Sequence, residues 1–274
     1  MNMQIYYFSG TGNSLHVAQE LKRRIPEVTL VPIISALNNE KIKTSAEIIG
    51  LVFPLHGYTI PFPVKEFLQQ VDLQSASYIF AVATRGGSPC GVFEDVDVIL
   101  RKKGKSLDAH FYLEMPNNFQ LLHFKPVTPE MIRENELELQ RRLASIQAII
   151  LQKQISRAKD HRKPLPFFKR NILFPLLKWA GQKTRFGHIE KKFYADGKCS
   201  GCGMCEQVCL AEKIRLENGR PVWRKDIPCL FCFACINYCP NQAIQLKGSQ
   251  TSTQGRYHHG EISQAAIAEQ KKGL

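Results

Sequence analysis

The sequence predicts an α/β protein: a doubly wound, parallel five-stranded sheet, then a helical connector, then a small α+β domain. Three observations carry this expectation. Through residue 115, short apolar runs alternate with segments whose apolar residues recur at helical spacing, and such alternation implies parallel strands joined by right-handed crossovers. From 128 to 192 the pattern is helical and turns basic. From 196 to 247, eight of the chain's nine Cys fall in two runs of identical spacing.

Taken in order, Ile5–Phe8 is a β-branched and aromatic run that ends in Ser9-Gly10-Thr11-Gly12-Asn13-Ser14. A helix follows, with Leu15, Ala18 and Leu21 on one face. Val28–Val31 and Ile48–Phe53 read as strands, and Pro63 opens a helix carrying Val64, Phe67, Leu68 and Val71. Tyr78–Ala83 is the fourth strand, Val92, Val96, Ile99 and Leu100 mark the next helix, and Leu107–Met115 is the fifth strand. Thr128-Pro129-Glu130 then makes a helix start, and Ile132, Leu139, Leu143, Ile146 and Ile150 keep one apolar face. Domain limits follow at 1–119, 120–195 and 196–247, with a loosely held, Ser/Thr/Gln/Gly-rich tail at 248–274.

The 274 residues are 44% hydrophobic and 22% charged, a globular rather than a disordered profile. No run approaches roughly eighteen consecutive apolar residues, so no membrane-spanning helix is expected. The opening Met-Asn-Met-Gln-Ile-Tyr-Tyr-Phe has neither a basic n-region nor a small-residue cleavage site. Secretion, and with it a disulfide scaffold, is therefore not expected.

The net charge of +13 is local. Residues 1–127 carry 12 Lys and Arg against 11 Asp and Glu, whereas residues 153–192 carry 12 against 2. Three readings apply to that segment: a solvated basic face, a surface that docks an acidic redox protein, and peripheral membrane contact, since Phe167, Phe168, Phe174 and Trp179 lie among the cations. Nucleic acid is disfavoured because no recognised reading module accompanies the charge.

Cys199, Cys202, Cys205 and Cys209 follow C-x2-C-x2-C-x3-C, and Cys229, Cys232, Cys235 and Cys239 repeat it thirty residues later. Ile214 and Ile244 fall at equivalent places after the two runs, which marks a duplicated unit. Three Cys at successive x2 spacing wrap one corner of a cubane, which fits a [4Fe–4S] cluster. The alternative is a pair of structural zinc sites, which usually take two separated ligand pairs. The C-x3-C-x2-C spacing of radical chemistry on S-adenosylmethionine is absent. The segment closely resembles a bacterial two-cluster ferredoxin, with Leu210 where the second run has Pro240. That resemblance implies crossed ligation: Cys199, Cys202, Cys205 and Cys239 on one cluster, and Cys229, Cys232, Cys235 and Cys209 on the other.

The Ser9–Ser14 loop, between the first strand and the first helix, offers close backbone approach, helix-terminal N–H groups and three hydroxyls. It has no Lys, so it is not a nucleotide-hydrolase P-loop, and it suits the phosphate monoester of FMN at the carboxyl ends of the strands. Residues 1–115 resemble the flavodoxin family. That likeness implies FMN held by three loops: Ser9, Gly10, Thr11, Gly12, Asn13 and Ser14; Pro54, Leu55, His56, Gly57 and Tyr58; and Thr84, Arg85, Gly86 and Gly87. Tyr58 could stack on the isoalloxazine. Arg85 stands where the third loop often has Tyr, and its guanidinium could stack or offset negative charge on a reduced flavin. The alternative is a flavodoxin-like scaffold without flavin. Cys90, following this loop, reads as an inert residue.

As a whole the chain resembles the fused flavodoxin–ferredoxin proteins of anaerobic bacteria and archaea, including Met115–Phe119 and Arg256–Ile262. The resemblance implies cytoplasmic electron transfer with a protein redox partner: single electrons relayed between a flavin and two clusters. No acid–base or nucleophile constellation stands out. The rival readings are a flavin-dependent reductase of a small acceptor, and a flavin-free ferredoxin whose first domain docks a partner.

Overall fold

The computed structural model describes residues 2–86, 91–120, 126–157, 166–183, 189–253 and 255–272. Gly87, Cys90 and parts of the basic segment lie outside them.

The first half builds β1 (Met3–Tyr7), α1 (Asn13–Arg24), β2 (Val28–Pro32), the short α2 (Ile33–Ala36) and β3 (Ile48–Pro54). It continues with α3 (Phe62–Gln70), β4 (Tyr78–Arg85), α4 (Val92–Arg101), β5 (Ala109–Glu114) and α5 (Pro129–Leu151). The strands pair in parallel in the order β2-β1-β3-β4-β5, the flavodoxin-like doubly wound order. β4 is buried along its whole length, as a strand covered by helices on both faces must be. Thr128 caps α5 by accepting from the Met131 N–H at 3.3 Å, and Leu139, Leu143, Ile146 and Ile150 bury its apolar face.

Two features depart from expectation. A sixth strand, β6 (Ser156–Arg157), adds in parallel to the β5 edge, because the chain leaving α5 runs back along that edge and pairs its free backbone groups. Further on, a π-helical turn (Lys169–Leu173) leads into α6 (Phe174–Lys183) and a 3₁₀ turn covers Ile189–Lys192.

The small domain starts just before its expected limit, with β7 (Phe193–Ala195), which pairs antiparallel with β10 (Ile244–Leu246). Between them lie α7 (Met204–Gln207), the hairpin β8 (Ile214–Glu217) and β9 (Arg220–Trp223), and α8 (Ala234–Asn237). Asn218 and Gly219, both at positive φ, make the hairpin turn.

The chain end is not loosely held. Thr251, Tyr257, His259, Ile262, Ile267 and Gln270 are all buried, and a short helix, α9 (Gln264–Glu269), packs beside α7. Composition suggested a free tail, but its few apolar residues are spaced to reach the seam between the two halves. One hydrophobic core runs from the sheet through Val208, Leu210, Ala234 and Tyr238 to Ile262 and Ile267.

Candidate functional site

The two Cys runs share one backbone path. Positive φ recurs at Gly201, Gly203 and Glu212, and thirty residues later at Phe231, Phe233 and Gln242. The Glu212 N–H donates to the Cys209 carbonyl, and the Gln242 N–H donates to the Cys239 carbonyl, both at 3.0 Å. Leu210 keeps the turn that Pro240 keeps in the second run. Left-handed backbone is free for Gly but costs other residues roughly 1–2 kcal/mol. Phe231 and Phe233 adopt it with their rings packed, against Phe62 for the first and against Phe119 and Phe193 for the second.

Two cavities open inside this domain. One is lined by Cys199, Cys202, Cys205 and Cys239, together with Met204, Leu216, Pro221 and Ile244. The other is lined by Cys209, Cys229, Cys232 and Cys235, together with Lys213, Trp223 and Phe233. Each cavity therefore gathers three Cys of one run and the fourth of the other. Burial pushes the Cys205 and Cys232 thiols up to about 12 and Cys229 up to about 11, with neighbouring Cys adding to the rise. Four such thiolates in one apolar cavity are stable only around a cationic centre. The donor set thus fits two metal clusters.

Positive charge stands beside both cavities. Lys213 is buried and donates to the Arg224 and Ile227 carbonyls, both at 2.5 Å. Arg256, half-buried, donates to the Ile244 carbonyl at 3.0 Å, and its charge acts on Cys239 and Cys235. Cys202 is the exposed member of the eight.

The segments 115–119 and 256–262, which motif reading left without a role, join the two halves. The Asn237 amide donates to the Asn118 carbonyl at 3.1 Å, and its oxygen accepts from Gln120 at 3.0 Å and from the Tyr257 N–H at 3.2 Å. The Tyr257 hydroxyl donates to Asn13 Oδ1 at 3.2 Å. Their polar composition was the available signal, since buried polar groups require partners.

The three strand-end loops converge as the topology requires, but their groups are engaged by the chain itself. Ser9 exchanges two hydrogen bonds with the Gln270 side chain, at 3.0 and 2.8 Å. Thr11 accepts from Asn118, and its carbonyl accepts from the His259 N–H at 2.9 Å. Asn13 donates to the Pro116 carbonyl at 3.1 Å, and Ser14 pairs with Thr84 at 2.8 Å. A Cβ on Gly10 would sit 2.5 Å from the Cys232 Cβ and carbonyl oxygen, and one on Gly12 would sit 2.8 Å from the His259 Cβ. Both glycines are thus required for close approach by the chain's own second half.

The second and third loops are similarly engaged. Gly57 and Tyr58, at φ 52° and 68°, form a two-residue turn closed between His56 and Thr59. Tyr58 packs against Phe174 with ring centroids 4.5 Å apart, and burial pushes His56 down to about 4. Arg85 lies over the Tyr112 ring at 4.3 Å and pairs with Glu114 at 3.5 Å, while Gly86 abuts Asn117. As folded, Ser9, Thr11, Asn13 and Ser14 of the phosphate-type loop are all hydrogen-bonded within the chain.

A family model described as a 4Fe-4S dicluster domain matches residues 198–244. A ferredoxin from Methanothermococcus thermolithotrophicus is 35% identical over 52 residues, covering 18% of this chain and 87% of that protein. Among solved structures, a two-electron-reduced flavodoxin from Megasphaera elsdenii is 18% identical with a TM-score of 0.34, covering 50% of this chain and 98% of its own. Rubredoxin oxygen:oxidoreductase from Desulfovibrio gigas is 16% identical with a TM-score of 0.36 over 55% of this chain, which spans only 36% of that protein. At such low likeness the fold assignment rests on the chain's own strand order.

Proposed function

The chain belongs to the two-cluster ferredoxins through residues 198–244 and fuses that module to a flavodoxin-like domain; from this we propose that it transfers single electrons through two [4Fe–4S] clusters, with the first domain as their rigid seat. The supporting observation is the pair of cavities, each bringing together three Cys of one run and the fourth of the other. Cys199, Cys202, Cys205 and Cys239 would hold one cluster, and Cys209, Cys229, Cys232 and Cys235 the other. When bound, the clusters supply one-electron redox chemistry at potentials set by burial and nearby charge. The chain's own residues do the rest. Phe193, Phe233 and Trp223 exclude water, Lys213 and Arg256 favour the reduced, more negative state, and the exposed Cys202 edge gives electrons a short path to a partner.

A relay between FMN and the clusters is the second reading. It is favoured by the three loops at the carboxyl ends of β1, β3 and β4, the first of them against Cys232. It requires the chain end to leave the Ser9–Ser14 loop.

Anaerobic quantitation of iron, sulfide and flavin, with EPR of the reduced protein, separates these readings. Cluster transfer predicts about eight irons per chain and little flavin. One FMN per chain would establish the relay instead, and zinc in place of iron would overturn both.

A further inference from the structure

The helix running from Phe167 to Lys183 carries a surface that the electron-transfer reading does not use. One face is anchored: Phe174 packs on Tyr58, and Lys178 pairs with Asp95 on α4. Away from these two contacts the helix presents Phe167, Phe168, Ile172, Leu176, Leu177 and Trp179 at 48–79% exposure. Phe168, Ile172, Leu176 and Trp179 follow at spacings of four, four and three residues, so they form one stripe along the helix. Elsewhere among the described residues, Met131, Ile132, Leu137 and Leu151 are exposed along the longer α5, and Val98, Ile155, Tyr194 and Val222 lie outside it.

From 161 to 189 the chain has seven Lys and Arg and no acidic residue. Exposed aromatic and aliphatic groups on a helix that carries Lys169, Arg170 and Lys183 besides the paired Lys178, and no acidic residue, match an interfacial helix, whose apolar face enters the headgroup boundary while its cations meet anionic lipid. The stripe is convex and lies on a single helix, which suits a flat lipid boundary. A protein partner of matching chemistry would have to bring its own apolar groove. Among the described residues no helix is long and apolar enough to cross a membrane, so any attachment through this helix would be peripheral.

We propose that the Phe167–Lys183 helix is a peripheral membrane anchor that docks the protein on anionic lipid. The test uses the cluster-loaded full chain, prepared anaerobically, and sedimentation with vesicles of phosphatidylcholine alone or mixed with phosphatidylglycerol. Binding to the mixed vesicles is expected, about tenfold or more weaker on neutral vesicles and in high salt. A Phe168→Ser/Trp179→Ser variant should lose about tenfold in vesicle binding with iron content and EPR unchanged. Tryptophan emission of the intact chain should shift to the blue on mixed vesicles, and that shift should be absent from the double variant, which keeps Trp223 alone. Three results would each overturn the proposal: no sedimentation with anionic vesicles, equal binding by the double variant, or self-association that the double variant abolishes without any lipid effect.

Discussion

At the scale of single residues, Gln270 and Lys213 have the clearest consequences. Gln270 is fully buried, and its amide satisfies both the N–H and the carbonyl of Ser9. In Gln270→Ala both backbone groups stay buried without this partner, a loss of about 1–3 kcal/mol. Hydrogen exchange at the Ser9 amide should accelerate accordingly, and unchanged protection would refute this role. Lys213 lines the cavity of Cys209, Cys229, Cys232 and Cys235. Losing roughly 1 kcal/mol of charge stabilisation shifts a one-electron potential by roughly 40 mV. Lys213→Gln should therefore lower one of the two cluster potentials by that order and leave the other nearly in place, as read by EPR-monitored redox titration.

His259 adds a pH dependence. Burial, with His16 and His258 beside it, pushes its imidazole down to about 4, against a smaller upward pull from Glu136; Glu261, next in the chain loop, also faces His16, at 3.3 Å. Released from the seam, the ring would take a proton near its ordinary value of about 6.5. The released state therefore binds more protons between these values, and docking of the chain end weakens as pH falls from about 6.5 toward 4. Proteolysis of residues 255–272 should speed up across that window. A flat rate would rule out His259 as the cause.

At the scale of elements, the Ser9–Ser14 loop shows how one local sequence can serve two purposes. A Gly-rich turn before a helix is suited to a phosphate, and it is equally suited to close backbone approach by another segment. Here Gly12, at φ 99°, lies under His259 and Ile262. Gly12→Val adds a strained backbone, roughly 1–2 kcal/mol, and a side chain where no space exists. The chain end should dissociate from the loop, seen as deprotection of residues 255–272 in hydrogen exchange. Retained protection would show that the loop is not its seat. The duplicated Cys runs teach the complementary lesson. Their shared backbone path follows from spacing alone, even where Phe replaces Gly at positive φ.

At the scale of the whole molecule, the larger hydrophobic core reaches from the sheet into the second half, and a smaller one lies within the Cys-bearing domain. Ending the chain at residue 254 removes Ile262 and Ile267 from the larger core and should lower the unfolding temperature of the cluster-loaded protein, as read by calorimetry. An unchanged unfolding temperature would contradict the packing of the chain end into the core. Much of this architecture was legible beforehand. The five strands, the helices between them and the two Cys runs all show in apolar periodicity and in ligand spacing, which act over a few residues. β6 and the packed chain end were not legible, because a two-residue strand and a polar, Gly-containing segment carry no periodic signal.

The Cys pattern by itself determined the chemistry, since thiolates at those spacings can do little else than hold a metal centre, and the alternation of strands and helices determined the parallel sheet. Only the tertiary structure decided what the loops at the strand ends touch. The partners of Ser9, Gly10 and Gly12 lie more than two hundred residues away, at Cys232, His259 and Gln270. No local pattern encodes a contact of that range; it exists because burying the seam between two domains is favourable and leaves room at positions 10 and 12 for glycine alone.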